Sequence, residues 1–188
     1  MSEDKPIYYA GIGSRQTPPE ILDCMRVIGY VLAKSGLVLR SGAAEGADAA
    51  FEKGCDAAGG KKEIYLPWNA FNGKIIDGTS ILPFTKEAME LASHIHPAWA
   101  NLSEGGKRLH SRNCHQVLGK DVLSLTALSR FVICWTAGTG GTEQALRLAR
   151  QYGVPIINLY KIKTESILLS VFRTISGPCL DVRNAPLE

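Results

Sequence analysis

Short apolar runs alternate with helical patterns along most of this chain, and that alternation constrains the fold more than any other feature. Ile7–Ile12, Leu37–Leu39, Glu63–Leu66, Arg130–Trp135 and Val154–Leu159 read as five strands. Each is a near-continuous apolar run, as expected of strands covered on both faces. Pro18–Lys34 carries Ile21, Met25, Ile28 and Leu32 at helical spacing, and Thr17 before two prolines makes a good helix start. Ala47–Ala58, a segment near Thr85–His96, Lys107–Gly119 and Thr142–Tyr152 supply further helices, with a short one near Thr164–Arg173. The pattern predicts an α/β fold: a Rossmann-like, doubly wound, mostly parallel sheet of about five or more strands with helices on both faces.

The 188 residues suit a single domain, residues 1–188. Residues 67–106 read as an irregular and helical excursion from the sheet that covers one edge of a site, and 160–188 as a C-terminal tail. Within that tail the apolar Ser166–Phe172 reads either as an interface or as a packed helix. The net charge of +3 is mild, so it neither demands nor excludes a nucleic-acid partner. No apolar stretch approaches the roughly 18 residues needed to cross a membrane. Met1–Pro6 is polar and lacks signal-peptide character, which makes the cytoplasm the expected compartment. Cys24, Cys55, Cys114, Cys134 and Cys179 show no CxxC spacing and read as reduced thiols. His94 with His96, and His110 with His115, are spaced so that neither pair shares a helical face, so neither a metal nor another cofactor is expected.

In a parallel sheet the loops after the strands gather at one edge. Three of them here are rich in glycine and short polar residues: "GIGSRQTPPE", "RSGAAEGADAAF" and "WTAGTGGTEQ". Each leads into a helix start, where unpaired N–H groups and the helix dipole favour an anion. Gly13, Ser14 and Arg15 in the first loop, Ser41, Gly42 and Gly46 in the second, and Thr139, Gly140, Gly141 and Thr142 in the third are the candidate phosphate-binding residues. Glycine and serine also serve ordinary strand-to-helix turns, and no Walker loop or GxGxxG fingerprint is present. Asp48 reads either as a contact to a sugar hydroxyl or as a helix-start carboxylate.

"GSR" after the first strand, "SGAAEGADAAF" after the second, "IYLP", "HSRN" and "GTGGT" together resemble a Rossmann-like superfamily. It contains the DNA-processing protein DprA (Smf), the lysine-decarboxylase-like LOG phosphoribohydrolases and the molybdenum-cofactor carrier proteins. The likeness spans about Tyr8–Leu159 and is nearest to small single-domain DprA-like proteins, often phage-encoded, for which the compartment would be the host cytoplasm. It implies that Arg112 and Asn113 stand at the ligand edge, that the partner is a nucleotide or single-stranded DNA, and that the chain forms homo-oligomers. LOG enzymes place a catalytic glutamate in Gly-Gly-x-Gly-Thr-x-x-Glu, and that position is Ala145 here. Glu143 instead resembles, in its Gly-x-Glu spacing, the sugar-attacking glutamate of nucleoside 2-deoxyribosyltransferases.

Glu143 thus has two readings: a first-turn carboxylate favoured by the helix dipole, or a catalytic nucleophile or base at an anomeric carbon. Lys107, Arg108, His110, Arg112 and His115 form a local basic cluster, the best candidate for a polyphosphate or nucleic-acid contact. Trp99 is a candidate base-stacking platform. The expected function is a DprA-like protein holding a phosphorylated nucleotide ligand at the carboxyl edge of the sheet. The competing readings are a nucleoside 5′-monophosphate N-glycosidase that releases free base, and a fold kept without its site. The sequence leaves open whether the protein is an enzyme.

Overall fold

A computed structural model describes residues 5–138 and 140–176. Six strands form one parallel sheet: β1 (Tyr8–Gly11), β2 (Val38–Ser41), β3 (Lys62–Leu66), β4 (Ile81–Pro83), β5 (Val132–Cys134) and β6 (Ile156–Asn158). Their order across the sheet is β4-β3-β2-β1-β5-β6. The chain winds outward from β1 through β4, then crosses back to build β5 and β6 on the other side. The winding direction therefore reverses between β1 and β5, where a doubly wound sheet opens a crevice at its carboxyl edge.

The helices are α1 (Pro19–Lys34), α2 (Ala47–Ala57), α3 (Lys86–Ile95), α4 (Glu104–Leu118), α5 (Gly141–Gln151) and α6 (Ile167–Ser176). Alternate strand residues feed two apolar layers, as a period of two requires. Tyr9, Leu39, Ile64 and Ile133 pack with α1, α2 and α6. Ala10, Val132 and Cys134 pack with α3, α4 and α5. Small residues bring α1 and α2 into close contact, since a Cβ at Gly29 would lie 2.6 Å from the Phe51 carbonyl oxygen. The tail segment 166–172 contributes Ile167 and Val171 to the core, both fully buried, and leaves Leu169 exposed. The four cysteines among the described residues are free thiols; Cys179 lies outside them.

Three features differ from the sequence reading. The excursion 67–106 returns to the sheet as β4, which pairs Ile64 with Ile81 and Leu66 with Pro83. This strand is only three residues long and hides behind turn-forming sequence: Asp77 Oδ1 accepts from the N–H groups of Thr79, Ser80 and Ile81 at 2.8–2.9 Å. Helix α4 begins at Glu104 rather than Lys107, capped by Ser103, whose Oγ accepts from Gly106 N at 3.1 Å. Two early glycines, poor helix formers, had masked that first turn.

Arg40 is also relocated, from the second loop into the sheet. It is 1% exposed, donates to Glu63 at 2.7 Å and stacks its guanidinium 3.7 Å from the Tyr8 ring centroid. Tyr65 donates to the same Glu63 oxygen at 2.8 Å. His115, stacked on Tyr65 at 4.8 Å, donates from Nδ1 to Gly119 O (2.7 Å) and accepts at Nε2 from Thr85 N (3.0 Å). These polar groups satisfy one another inside the α4 side of the sheet, as buried groups must.

Candidate functional site

The crevice lies where β1 and β5 part. Ser14 N donates to Trp135 O at 3.1 Å and keeps the two loops joined at their base. Gly13 sits against α2, and a Cβ there would come 2.6 Å from that of Ala47. Above this point a cavity of about 730 Å³ opens, of a size ordinary for ligand sites. Ser14 and Arg15 line it from the first loop, Glu45 and Asp48 from the second, and Gly140, Gly141 and Thr142 from the third. Arg112 and Asn113 approach from α4, and Phe71 and Asn72 from the segment 67–106.

Arg112 is the centre of this arrangement. It is 5% exposed, and its Nη1 lies 3.3 Å from Asp48 Oδ2. That is long for a charge-assisted pair, for which about 2.7–2.9 Å is usual. Its Nε is buried without a hydrogen-bond partner, and the Phe71 ring centroid lies 5.9 Å from its Cζ. The guanidinium can lie here only because residue 42 has no side chain: a Cβ on Gly42 would collide with Arg112 Nη1. Burial pushes the arginine pKa down while Asp48 holds it up.

Asp48 is committed to shaping the second loop. Its Oδ2 accepts from Gly42 N at 3.2 Å and Ala44 N at 3.4 Å as well as from Arg112. Burial pushes its carboxyl up, and Arg112 with the N–H groups of Ala44, Gly42 and Gly13 pulls it back. Gly46, at φ 80°, makes the left-handed turn into α2 that a side chain would strain. Asn113 Nδ2 donates to Gly141 O at 3.1 Å, tying α4 to the third loop. Ser14 Oγ accepts from Gln16 N at 3.0 Å.

Among the described candidates, Ser41, Gly42, Gly46 and Glu143 do not line the cavity. Ser41 is fully buried and donates its hydroxyl to Gly11 O at 2.7 Å, bracing β1 against β2 instead of lining the cavity. Thr139 lies outside the described residues. Glu143 is not on the cavity wall; its Oε1 accepts from Arg150 Nη1 at 2.7 Å along α5. The α5 residues that do line the cavity are Gly141, Thr142 and Ala145.

The basic cluster of the sequence is divided by the fold. His115 is buried in the network around Glu63, and Arg108 pairs with Glu104 at 3.2 Å on the surface. Lys107 Nζ lies 5.9 Å from the Trp99 ring centroid. Trp99 packs against the α3–α4 core rather than the cavity, and Phe71 supplies the aromatic wall in its place. Leu109 and Gln116 also line the cavity; helical spacing from Asn113 (i−4 and i+3) was the signal for both. Nothing in the spacing marked Phe71. Among the described residues no group of three or more His, Cys, Asp and Glu side chains is placed to hold a metal ion. No described helix is long and apolar enough to cross a membrane.

No protein-family model matches the chain, and no curated protein does. Solved structures do. DNA processing protein A from Helicobacter pylori, studied for its single-stranded DNA binding mode, superposes with a TM-score of 0.55 at 22% identity, over 88% of this chain and 73% of that one. The molybdenum cofactor carrier protein of Chlamydomonas reinhardtii gives 0.52 at 19%, over 89% and 85%. DprA from Streptococcus pneumoniae gives 0.50 at 19% identity, and the match spans 92% of this chain but 56% of that protein. The chain therefore has the Rossmann-like fold that DprA and the molybdenum-cofactor carriers share, the fold its motifs resemble.

Proposed function

We propose that the cavity binds a phosphorylated nucleotide and holds it intact. The observation that carries this reading is Arg112: a buried guanidinium with a long ion pair and an unpartnered Nε, at the wall of a cavity bordered by three glycine-rich loops. A buried cation left with donors to spare favours an anion, and a planar fork suits phosphate. The first N–H groups of α5, at Gly141 and Thr142, have no intrahelical acceptors and add to the same field. Arg15, exposed at the rim, supplies a second fixed positive charge. Phe71 offers an apolar face for a base.

Binding without turnover is favoured over base hydrolysis by two placements on α5. The position that a LOG-type catalytic glutamate would occupy is Ala145, a methyl group on the cavity wall. The carboxylate that α5 does carry, Glu143, is paired with Arg150. The ligand is either a free nucleotide or one residue of a DNA single strand, and the likeness to DprA supports the second form. Ultrafiltration of the protein with a panel of nucleoside 5′-monophosphates and a short single-stranded DNA, followed by chromatography for free base, tests the reading. Retained ligand recovered intact is expected. Release of free base would replace binding by hydrolysis.

A further inference from the structure

We propose that His110 is the second anion-binding side chain of this cavity, beside Arg112, and that it becomes a cation only when the anionic group of the ligand arrives. The inference rests on the nucleotide-binding reading above. His110 lines the cavity three residues before Asn113, on the same side of α4. Its Nδ1 is buried and has no hydrogen-bond partner. Buried polar atoms in proteins are mostly paired; among the described residues Tyr9, His110, Arg112 and Gln144 carry buried side-chain atoms without a partner, and of these only His110 and Arg112 line the cavity.

The surroundings explain why the ring is uncharged beforehand. The His96 ring centroid lies 4.5 Å away, Arg112 stands on the same helix, and Arg147 faces it from α5. Cys114, a neutral thiol, donates its S–H to the His110 carbonyl at 3.7 Å. The carboxylates of the cavity belong to the second loop and α2, where Asp48 is taken up by Arg112 and loop N–H groups and Glu45 is exposed. Burial, then His96, Arg112 and Arg147, push the His110 pKa down to about 4. A phosphate in the cavity reverses the sign of this field. An opposite charge within roughly 4–6 Å favours the charged form of a histidine. The ring then takes up a proton from solvent and donates from both nitrogens. Linkage requires that whatever raises the His110 pKa on binding also tightens binding as pH falls.

Isothermal titration calorimetry of a nucleoside 5′-monophosphate into the full chain, in two buffers of different ionisation heat, counts the protons taken up. The comparison is wild type against His110→Asn near pH 6, with circular dichroism to verify that the variant folds. The free nucleotide's own titration is common to both proteins. Wild type is expected to bind a larger fraction of a proton per ligand, and its affinity relative to the variant is expected to rise several-fold from about pH 7.5 to about pH 5.5. A second readout needs no variant: the ring resonances of His110 in the wild-type protein should titrate at higher pH with nucleotide bound than without. Nucleotide binding with equal proton uptake in both proteins, or with an unshifted His110 titration, overturns this inference alone. Failure of any nucleotide to bind overturns the reading beneath it as well.

Discussion

Glu143 and Arg150 lie two turns apart on α5, and their side chains meet at 2.7 Å. Seven residues is close to a whole number of helical turns, so the pair runs along one stripe of the helix. Thr142 and Ala145, on other positions of the same first turns, line the cavity. The carboxylate that looks most catalytic in the sequence is thus engaged by a neighbour on its own helix.

Glu143→Gln should therefore leave nucleotide affinity within about twofold of wild type. Its stability cost should be about 0–1 kcal/mol, the usual worth of an ion pair that is open to solvent on one side. Equilibrium dialysis and denaturant unfolding read the two quantities. A variant that folds but no longer retains ligand would return Glu143 to the site.

Arg112 and Asp48 form a buried pair, so removing one partner strands the other. Arg112→Ala should cost about 3–5 kcal/mol of unfolding free energy as well as ligand binding. The double variant Arg112→Met with Asp48→Asn should recover much of the stability and none of the binding. Urea unfolding of the three proteins separates the effects. Equal stabilities for Arg112→Ala and wild type would mean that the pair contributes nothing to the fold.

Gly42 shapes the site although it is not on the cavity wall. Gly42→Ala places a methyl group on the Arg112 guanidinium and should weaken nucleotide binding by about tenfold or more, equivalent to about 1.4 kcal/mol. Gly105→Ala is the control. It lies in the first turn of α4, where the nearest side-chain atom to an added Cβ is 3.9 Å away, on Trp68. That change should leave binding untouched and stabilise the protein by about 0.5–1 kcal/mol.

Much of the fold was legible because each element carries its own local signal, an apolar run or a helical period: the five strands and the helices recur at their expected places. The strand β4 was not, because Ile81 and Leu82 sit between the Asp77 turn and Pro83, without the longer apolar run that marks the equally short β5 and β6. At the site, the glycine loops and the Arg112–Asn113 pair were legible as motifs. Asp48's role was not, since its bonds to Gly42 and Ala44 depend on the path of the loop between them. Phe71 was hidden for a similar reason: it reaches the cavity from a 3-10 turn, Phe71–Gly73, in which its two neighbours Ala70 and Asn72 both adopt positive φ. Ser41 was misplaced because a hydroxyl at a strand end serves a neighbouring carbonyl as readily as a ligand.

Acid should destabilise the fold through its buried histidines. Burial lowers the pKa of both His110 and His115 below the ordinary histidine value, His110 to about 4. The unfolded chain binds protons on these rings as pH falls through about 6.5, while the folded protein does not. Stability that is fully present above that pH should decline as pH drops towards about 4. His110→Asn should make the decline shallower in ligand-free protein, and thermal unfolding between those limits reads it. An identical pH profile for the variant would show that His110 is not held neutral in the fold.

Whether Arg112 reads a phosphate is decided by titrating the wild-type chain with a nucleoside 5′-monophosphate and with its parent nucleoside, followed by calorimetry at low salt. The phosphate should improve affinity by about a hundredfold or more, as expected for an anion meeting a buried guanidinium, and Arg112→Lys should lose most of that advantage. Equal affinities for the two compounds, or an advantage that survives in Arg112→Lys, would contradict that role for Arg112.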